Sequence, residues 1–382
     1  MTDLTMINQV KPEVILGNKT SQPLVSIIVN NYNYAQFLSE SINSALQQTY
    51  RNIEIIVVDD GSQDNSREIL AKYGNKIIPI GKQNGGQASA FNAGFMVSHG
   101  EIIIFLDADD YLFPETVEQV VSAWNSQLAK VQYRLQMVDI SGDNIGIYPP
   151  PERNLDSGNV LSTLLTKGRY GTPVTSGNAF SRAVLEKIFP IPEAEFRLSA
   201  DGYVVNQVPF YGEILSIEQP LAAYRIHGNN LWAYSQKVDT ERFAKYVNHD
   251  LQRYQLLASK AADLGYKITQ DFSNRDYIHL RYRLISLRLQ PEHHPVSTDK
   301  PLELTFKAWG AIWLYSDLNL FNKLSLSWWF ITMGILPQPI SQLLLTWLMF
   351  KGTRPKFIAQ AIQTVKAVKT KVRVFTKLAM SN

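Results

Sequence analysis

Apolar and polar positions recur in a regular order through the first third of the chain. Val25-Ser26-Ile27-Ile28-Val29 reads as a strand buried on both faces, and Asn30-Asn31-Tyr32-Asn33 as the loop that leaves it. Phe37, Leu38, Ile42, Ala45 and Leu46 fall at helical spacing, which predicts a helix from about Ala35 to Gln47. A second strand, Ile53 to Val58, ends in Asp59-Asp60-Gly61-Ser62. The next helix has Asp64 or Ser66 as its N-cap and turns Ile69, Leu70 and Tyr73 inward. Lys76 to Ile80 is a third short strand, Asn84-Gly85-Gly86 a turn, Ala88 to Val97 a helix, and Ile102 to Leu106 a fourth strand. Such alternation over roughly 85 residues predicts a parallel, right-handed α/β sheet covered on both faces.

Beyond about Thr240 helical spacing takes over. Tyr246, Leu251, Tyr254, Leu256 and Leu257 mark one helix, and Tyr277 to Leu289 another. Apolar and aromatic residues crowd Trp309 to Leu320 and Leu324 to Phe350, but Pro337 and Pro339 cut the second run below the ~20 residues of a membrane-spanning helix. In the last segment Ile358, Ile362, Val365, Val368, Val372 and Phe375 form one apolar stripe flanked by Lys366, Lys369, Arg373 and Lys377. A basic amphipathic helix of this kind suits an anionic membrane surface, and equally a terminal helix docked on its own domain or an oligomer contact. The expected division is a polar arm over residues 1–22, an α/β domain over 23–235 and a helical region with a basic tail over 236–382.

Composition sharpens that picture at four points. The 45% hydrophobic content is that of a globular protein with a core. The absence of cysteine removes disulfides and thiolate chemistry. Met1 to Gln22 lacks a basic start followed by an apolar run, so no signal peptide is expected there. The net charge of +3 conceals an asymmetry: residues 318–382 hold nine Lys or Arg and no Asp or Glu, which leaves 28 against 34 elsewhere. An acidic body with a basic tail points to an anionic surface, and nucleic acid is not expected, because no reader motif appears.

Candidate chemistry stands at the ends of two strands, as Asp59/Asp60 and as Asp107-Ala108-Asp109-Asp110. The C-terminal edge of an open α/β sheet is where ligands bind. Three carboxylates within four positions repel one another unless a cation joins them, and Mg²⁺ or Mn²⁺ suits such oxygen ligands. A lone Asp-x-Asp also fits a solvated acidic turn in which Asp109 or Asp110 caps the helix after Pro114. No Gly-x-Gly-x-x-Gly follows the first strand and no P-loop occurs anywhere, which removes the dinucleotide and P-loop readings.

Taken together, Val25 to Asn33, Val57-Val58-Asp59-Asp60-Gly61-Ser62, Asn84-Gly85-Gly86 with Asn92-Ala93-Gly94, Phe105 to Asp110, and Leu221 to Asn230 resemble the family 2 glycosyltransferases in order and spacing. The resemblance covers about residues 23–230 and implies the GT-A fold, a doubly wound mixed sheet, here with a mainly helical C-terminal extension. It implies that Asp60 binds the nucleotide base, that Asn30, Asn31 and Gly86 contact the donor, and that Asp107 holds the ribose. Asp109 and His227 would hold the metal, and Asp201, in Ser199-Ala200-Asp201-Gly202-Tyr203, would be the catalytic base of a single, inverting displacement. Asp201 also fits a helix N-cap, and Asp59 a turn aspartate. Asp110, Asp59, Arg225, Thr175 and Ser176 are further candidates.

The chain departs from its relatives at Ala200, at Val205-Asn206-Gln207 and at Phe91, where many carry a basic residue; Lys82 or Arg182 is the candidate replacement for that charge. A helix is expected from about Arg182 to Ile188. The function expected is metal-dependent transfer from a nucleotide-sugar, a UDP-sugar first of all. The acceptor would be a polysaccharide or lipid-linked glycan, in the cytoplasm or at the inner face of a membrane. The alternatives are a catalytically impaired sugar-nucleotide-binding or scaffold protein of the same fold and, with less support, a sugar nucleotidyltransferase, which would want a Gly-rich basic loop after the first strand.

Overall fold

The computed structural model describes residues 22–349 and Pro355, apart from residues 229, 231–239 and 269–270. The basic amphipathic segment from Ile358 to Lys377 and nearly all of the N-terminal arm lie outside the described residues.

Seven elements follow in the expected alternation: β1 (Val25–Asn31), α1 (Ala35–Leu46), β2 (Ile53–Asp59), α2 (Ser66–Ala71), β3 (Ile78–Gly81), α3 (Gln87–Val97) and β4 (Ile102–Asp107). After them come β5 (Tyr111–Leu112), α4 (Thr116–Ala123), β6 (Leu128–Val138), β7 (Asn144–Tyr148), α5 (Leu161–Lys167), β8 (Asn178–Ser181), α6 (Arg182–Leu185), α7 (Ala200–Gln207) and β9 (Glu213–Arg225). The sheet order is β3-β2-β1-β4-β8-β6-β9-β5, with β7 paired to β6. The first four strands are parallel, as their helical crossovers require. β8 runs antiparallel to both β4 and β6, and β5 antiparallel to β9, so the sheet as a whole is mixed. The helix expected over 182–188 is α6, which ends at Leu185.

Both faces of the sheet are covered because successive strand residues point to opposite sides. Val25, Ile27 and Val29 of β1 and Ile102, Ile104 and Leu106 of β4 pack with α1, α2 and α4 through Leu38, Ile42, Leu70 and Val117. Ile28, Ile103 and Phe105 face the other way, against Ala88 and Phe91 of α3 and Val204 of α7. With the side chains of β1 and β4 buried on both faces, the ends of these two strands are held in place. That rigidity positions the polar residues that follow β1 and β4.

Among the described residues the C-terminal region contains the α-helices α8 (Arg242–Asp263), α9 (Tyr277–Leu289), α10 (Pro301–Tyr315), α11 (Leu320–Ile335) and α12 (Gln338–Met349). Pro337 separates the last two, as its missing N–H dictates. Among the described residues, no helix is long and apolar enough to cross a membrane. Leu280, Leu284, Ile312 and Phe330 form the core of this layer. A smaller cluster joins it to the sheet domain, with Val160, Leu164 and Ile214 on one side and Tyr254, Leu257 and Phe272 on the other.

Beside that seam lies a buried ion network. Asp250 of α8 accepts from Arg169 at 3.1 Å and from Arg253 at 2.9 Å, and lies 3.2 Å from His279 Nδ1. Asp276 caps α9 by accepting from Ile278 N at 2.9 Å and His279 N at 3.2 Å, and it pairs with Arg169 and Tyr254 as well.

Candidate functional site

The polar residues at the C-terminal ends of β1, β2 and β4 are locked in register. Asn30 stands opposite Asp107 and donates to its Oδ1 at 2.7 Å, while Asn31 stands opposite Asp59 and donates to it at 3.1 Å. Asp59 also accepts from Ser62 N and pairs with Arg67, so it closes the turn after β2 and is fully buried. Asp60 points the other way, into the cleft. Its Oδ1 accepts from Lys82 at 2.7 Å and Gly85 N at 2.9 Å, and its Oδ2 from Gly86 N at 2.7 Å. Gly86 sits at φ +87°, and a Cβ there would lie 2.4 Å from Arg197 O, so glycine alone fits.

These groups border one cleft of about 610 Å³. Of the residues singled out in the sequence, Asn30, Asn31, Asp60, Gly86, Asp107, Asp109, Thr175 and Asp201 line it. Asp201 lies in the first turn of α7 and accepts from its own neighbour Gly202 N, while Ser199 holds the N-cap position. Thr175 borders the cleft with Asp107 and Asp201, and its hydroxyl favours the ionised form of both. From α3, Gln87 donates to Asp107 at 3.5 Å and accepts from Ala200 N at 3.0 Å.

Four candidates lie beneath the cleft. Ser176 donates to Asp110 at 2.6 Å and accepts from Asp107 N, Asp110 accepts from Arg225 N at 2.9 Å, and all three partners are buried or nearly so. The Arg225 guanidinium turns away from the cleft to Glu40 and to the carbonyls of Asp109 and Ile140, so it is a brace and not a ligand contact. Asp59 is the fourth, consumed by its turn.

The two proposed sources of replacement charge also fall short. Arg182 follows β8, whose antiparallel course pairs Ser181 with Ile102 at the far end of β4; there it donates to Gly100 O and Ser98 Oγ. Lys82 is committed to Asp60. Phe91 faces the core, its ring stacked 4.0 Å from Phe105, so its helix presents Gln87 to the cleft instead.

The acidic cluster is electrostatically overloaded. Burial, then the neighbouring Asp109, push the Asp107 carboxyl up to about 7, against the opposing hydrogen bond from Asn30. Burial, with Asp109 and Asp107, also raises the Asp110 carboxyl well above the usual carboxylate range. Burial also raises Asp201 above the usual carboxylate range. A divalent cation is the group such a cluster fits.

His227 Nε2 lies 2.9 Å from Asp109 Oδ2, its ring held between Tyr34 and Phe37. The two groups contact each other directly, and they would hold an ion only by exchanging that bond for it. Among the described residues no cluster of three or more His, Asp or Glu is arranged to cage a metal. The fit is therefore to an ion that completes its shell with phosphate and water oxygens.

Further residues line the cleft without having been singled out in the sequence: Tyr32, Tyr34, Gln87, Arg197, Tyr224 and His249. His249 comes from α8 and approaches Gly202, whose added Cβ would lie 3.1 Å from its Nε2. Burial lowers the His249 pKa, which leaves a neutral imidazole near Asp201. No spacing rule connects it to Asp201. Only the packing of α8 on α7 does.

A family profile described as "Glycosyl transferase family 2" matches residues 26–189. An uncharacterized glycosyltransferase of Nostoc sp. (strain PCC 7120) is 37% identical over 266 residues, spanning 68% of this chain and 82% of its own. Chondroitin synthase of Pasteurella multocida is 44% identical over 99 residues, 25% of this chain and 10% of the synthase. Among solved structures, a mannosyltransferase from Pyrobaculum calidifontis in complex with GDP-Man and Mn²⁺ aligns with TM-score 0.47 and 17% identity, over 93% of this chain and 90% of its own. At that TM-score the likeness carries no functional information.

Proposed function

Since the chain belongs to glycosyltransferase family 2 and is a glycosyltransferase with an α/β fold of the GT-A type, we propose that it transfers a sugar, with inversion, from a nucleotide-diphosphate donor to an acceptor hydroxyl. The donor proposed is a UDP-sugar, and the acceptor a polysaccharide or lipid-linked glycan at the cytoplasmic face of a membrane. What supports this reading is the convergence of Asp60, Asp107, Asp109 and Asp201 on one cleft with room for a nucleotide-sugar.

Each role follows from the group's surroundings. Asp60 is oriented by two backbone amides and Lys82, and its Oδ2 keeps a lone pair for the ring N–H of a uracil-type base. Asp107, steadied by Asn30, accepts from ribose hydroxyls. Asp109 and His227 would hold Mg²⁺ or Mn²⁺, whose chemistry there is to neutralise charge on the diphosphate.

Asp201 takes the proton from the acceptor hydroxyl as its oxygen attacks the anomeric carbon. The new glycosidic C–O bond forms while the bond to the diphosphate oxygen breaks, and the nucleoside diphosphate leaves. A raised carboxylate is a stronger base than a solvated one, which suits that step.

The test is donor hydrolysis with a panel of UDP-, GDP- and dTDP-sugars, in Mn²⁺ and then in excess chelator. Metal-dependent release of nucleotide from one donor supports the reading and names the sugar. No release from any donor, together with no thermal shift from UDP and Mn²⁺, would move the protein to a binding or scaffold role.

A further inference from the structure

The helical layer carries more apolar surface than its own core uses. On α10, Leu302, Phe306, Trp309 and Trp313 are exposed and follow one another at intervals of four, three and four. On the adjacent α11, Phe321, Leu324, Trp328, Ile331 and Ile335 are exposed at intervals of three, four, three and four. The opposite sides of the same helices, Leu304, Ala308 and Ile312 on one and Phe330 and Met333 on the other, are buried in the layer. Both helices are thus apolar on two sides, and a helix of that kind is covered on both. Trp309 and Trp328 stand 53% and 71% exposed, so the two adjacent helices each carry an aromatic stripe in need of an apolar partner.

We propose that this outer face of α10 and α11 rests on an anionic lipid bilayer, lying in its interface without crossing it. Three observations select lipid. Indole and phenyl rings on an amphipathic helix face are the side chains that partition to the headgroup boundary. The face is bordered by cations, Lys307 on α10 and Lys323 on α11, and its two acids, Glu303 and Asp317, are paired with Lys300 and Lys167.

The chain beyond the face has the charge that complements such a surface: residues 318–382 contain nine Lys or Arg and no acid. A second copy of the chain is the poorer occupant, because a two-fold contact on this face would bring Lys307 and Lys323 of the two copies together. Residues 1–299, which precede the face and hold 26 basic and 32 acidic side chains, are repelled by the same bilayer. The cleft end would therefore stand away from the lipid while the helical end lies on it.

The experiment is co-sedimentation of the full chain with vesicles of phosphatidylcholine alone and of phosphatidylcholine with phosphatidylglycerol. Tryptophan quenching by brominated lipid gives a second readout. Wild type is expected to bind the anionic vesicles, to lose that binding in high salt, and to be quenched. Trp309→Ser with Trp328→Ser should weaken binding about tenfold or more, since two large apolar side chains no longer reach the interface. Circular dichroism and the thermal midpoint should stay at wild-type values, because both residues are exposed.

Three results overturn the proposal. One is no binding to either vesicle. A second is wild-type binding by the double variant, which would assign the contact to the basic tail alone. The third is a lipid-independent dimer, by analytical ultracentrifugation, that the double variant abolishes. None of these readouts needs a sugar donor, so they stand apart from the fate of the proposed activity.

Discussion

At the scale of single residues, the cleft separates carboxylates by what surrounds them. Asp201 is the one whose raised pKa serves a base, and its ionised form is the active one. The acid limb of kcat/KM should therefore lie above the ordinary aspartate value of about 3.9. Asp201→Asn should lower kcat by about 10²–10⁴-fold with the donor KM little changed, as general-base removal does. Unchanged kcat in that variant would reassign the base. Thr175 offers an independent check. Its hydroxyl lowers the pKa of Asp201 by favouring the ionised form. Thr175→Val should then raise that pKa and move the acid limb to higher pH. A limb that stays in place, with activity intact, would remove Thr175 from the pair.

At the scale of elements, the turn between β3 and α3 shows how local geometry serves the site. Asp60 is held by two consecutive amides, and the second belongs to Gly86, at a positive φ and pressed against Arg197 O. Gly86→Ala forces a side chain into that contact from a backbone region that disfavours it. The expected cost is about 1–3 kcal/mol, from strain of this kind. The measurement is a paired thermal midpoint and UDP affinity, and both should fall. A fall in neither would mean the turn relaxes freely.

This scale also separates what the sequence made legible from what it did not. β1, β2 and β4 were readable because both faces are apolar, and Tyr277–Leu289 because its apolar residues fall at helical spacing. β6 escaped because Lys130, Gln132 and Arg134 mark one side as polar, although all three are buried. Their partners explain the discrepancy: Lys130 donates to Gln132, Tyr170, Thr172 and Asn178, none of them charged, and Arg134 reaches Pro149 O and Glu218. A polar side chain satisfied by distant residues looks exposed in sequence. His249 is the matching case in the cleft, since nothing in its neighbourhood along the chain announces Asp201.

At the scale of the molecule, the cleft depends on a helical layer that contributes only one of its walls. α8 places His249 in the cleft and the next residue, Asp250, in the buried ion network with Arg169 and Arg253. Burial alone would raise the Asp250 carboxyl, but Arg169 and Arg253 overcome it and hold the group well below the usual carboxylate range. A carboxylate depressed in the folded state contributes stability above its unfolded pKa, near 3.9, and loses it progressively as the pH falls toward the folded value. Wild type should consequently lose stability steeply below about pH 5.

Asp250→Asn keeps the shape but leaves two guanidinium groups with less counter-charge. It should destabilise at neutral pH by about 3–5 kcal/mol, the range for breaking a buried pair. It should also flatten the acid side of the stability profile, because the group that titrated is gone. Denaturant unfolding at several pH values measures both effects. A variant that is weakened at pH 7 but retains the full wild-type acid dependence would place that dependence elsewhere, with Asp276 the next group to replace. If transfer activity declines with the helical signal while the sheet stays folded, the wall that α8 builds is needed for turnover. Activity that survives loss of that signal would confine the working site to the sheet domain.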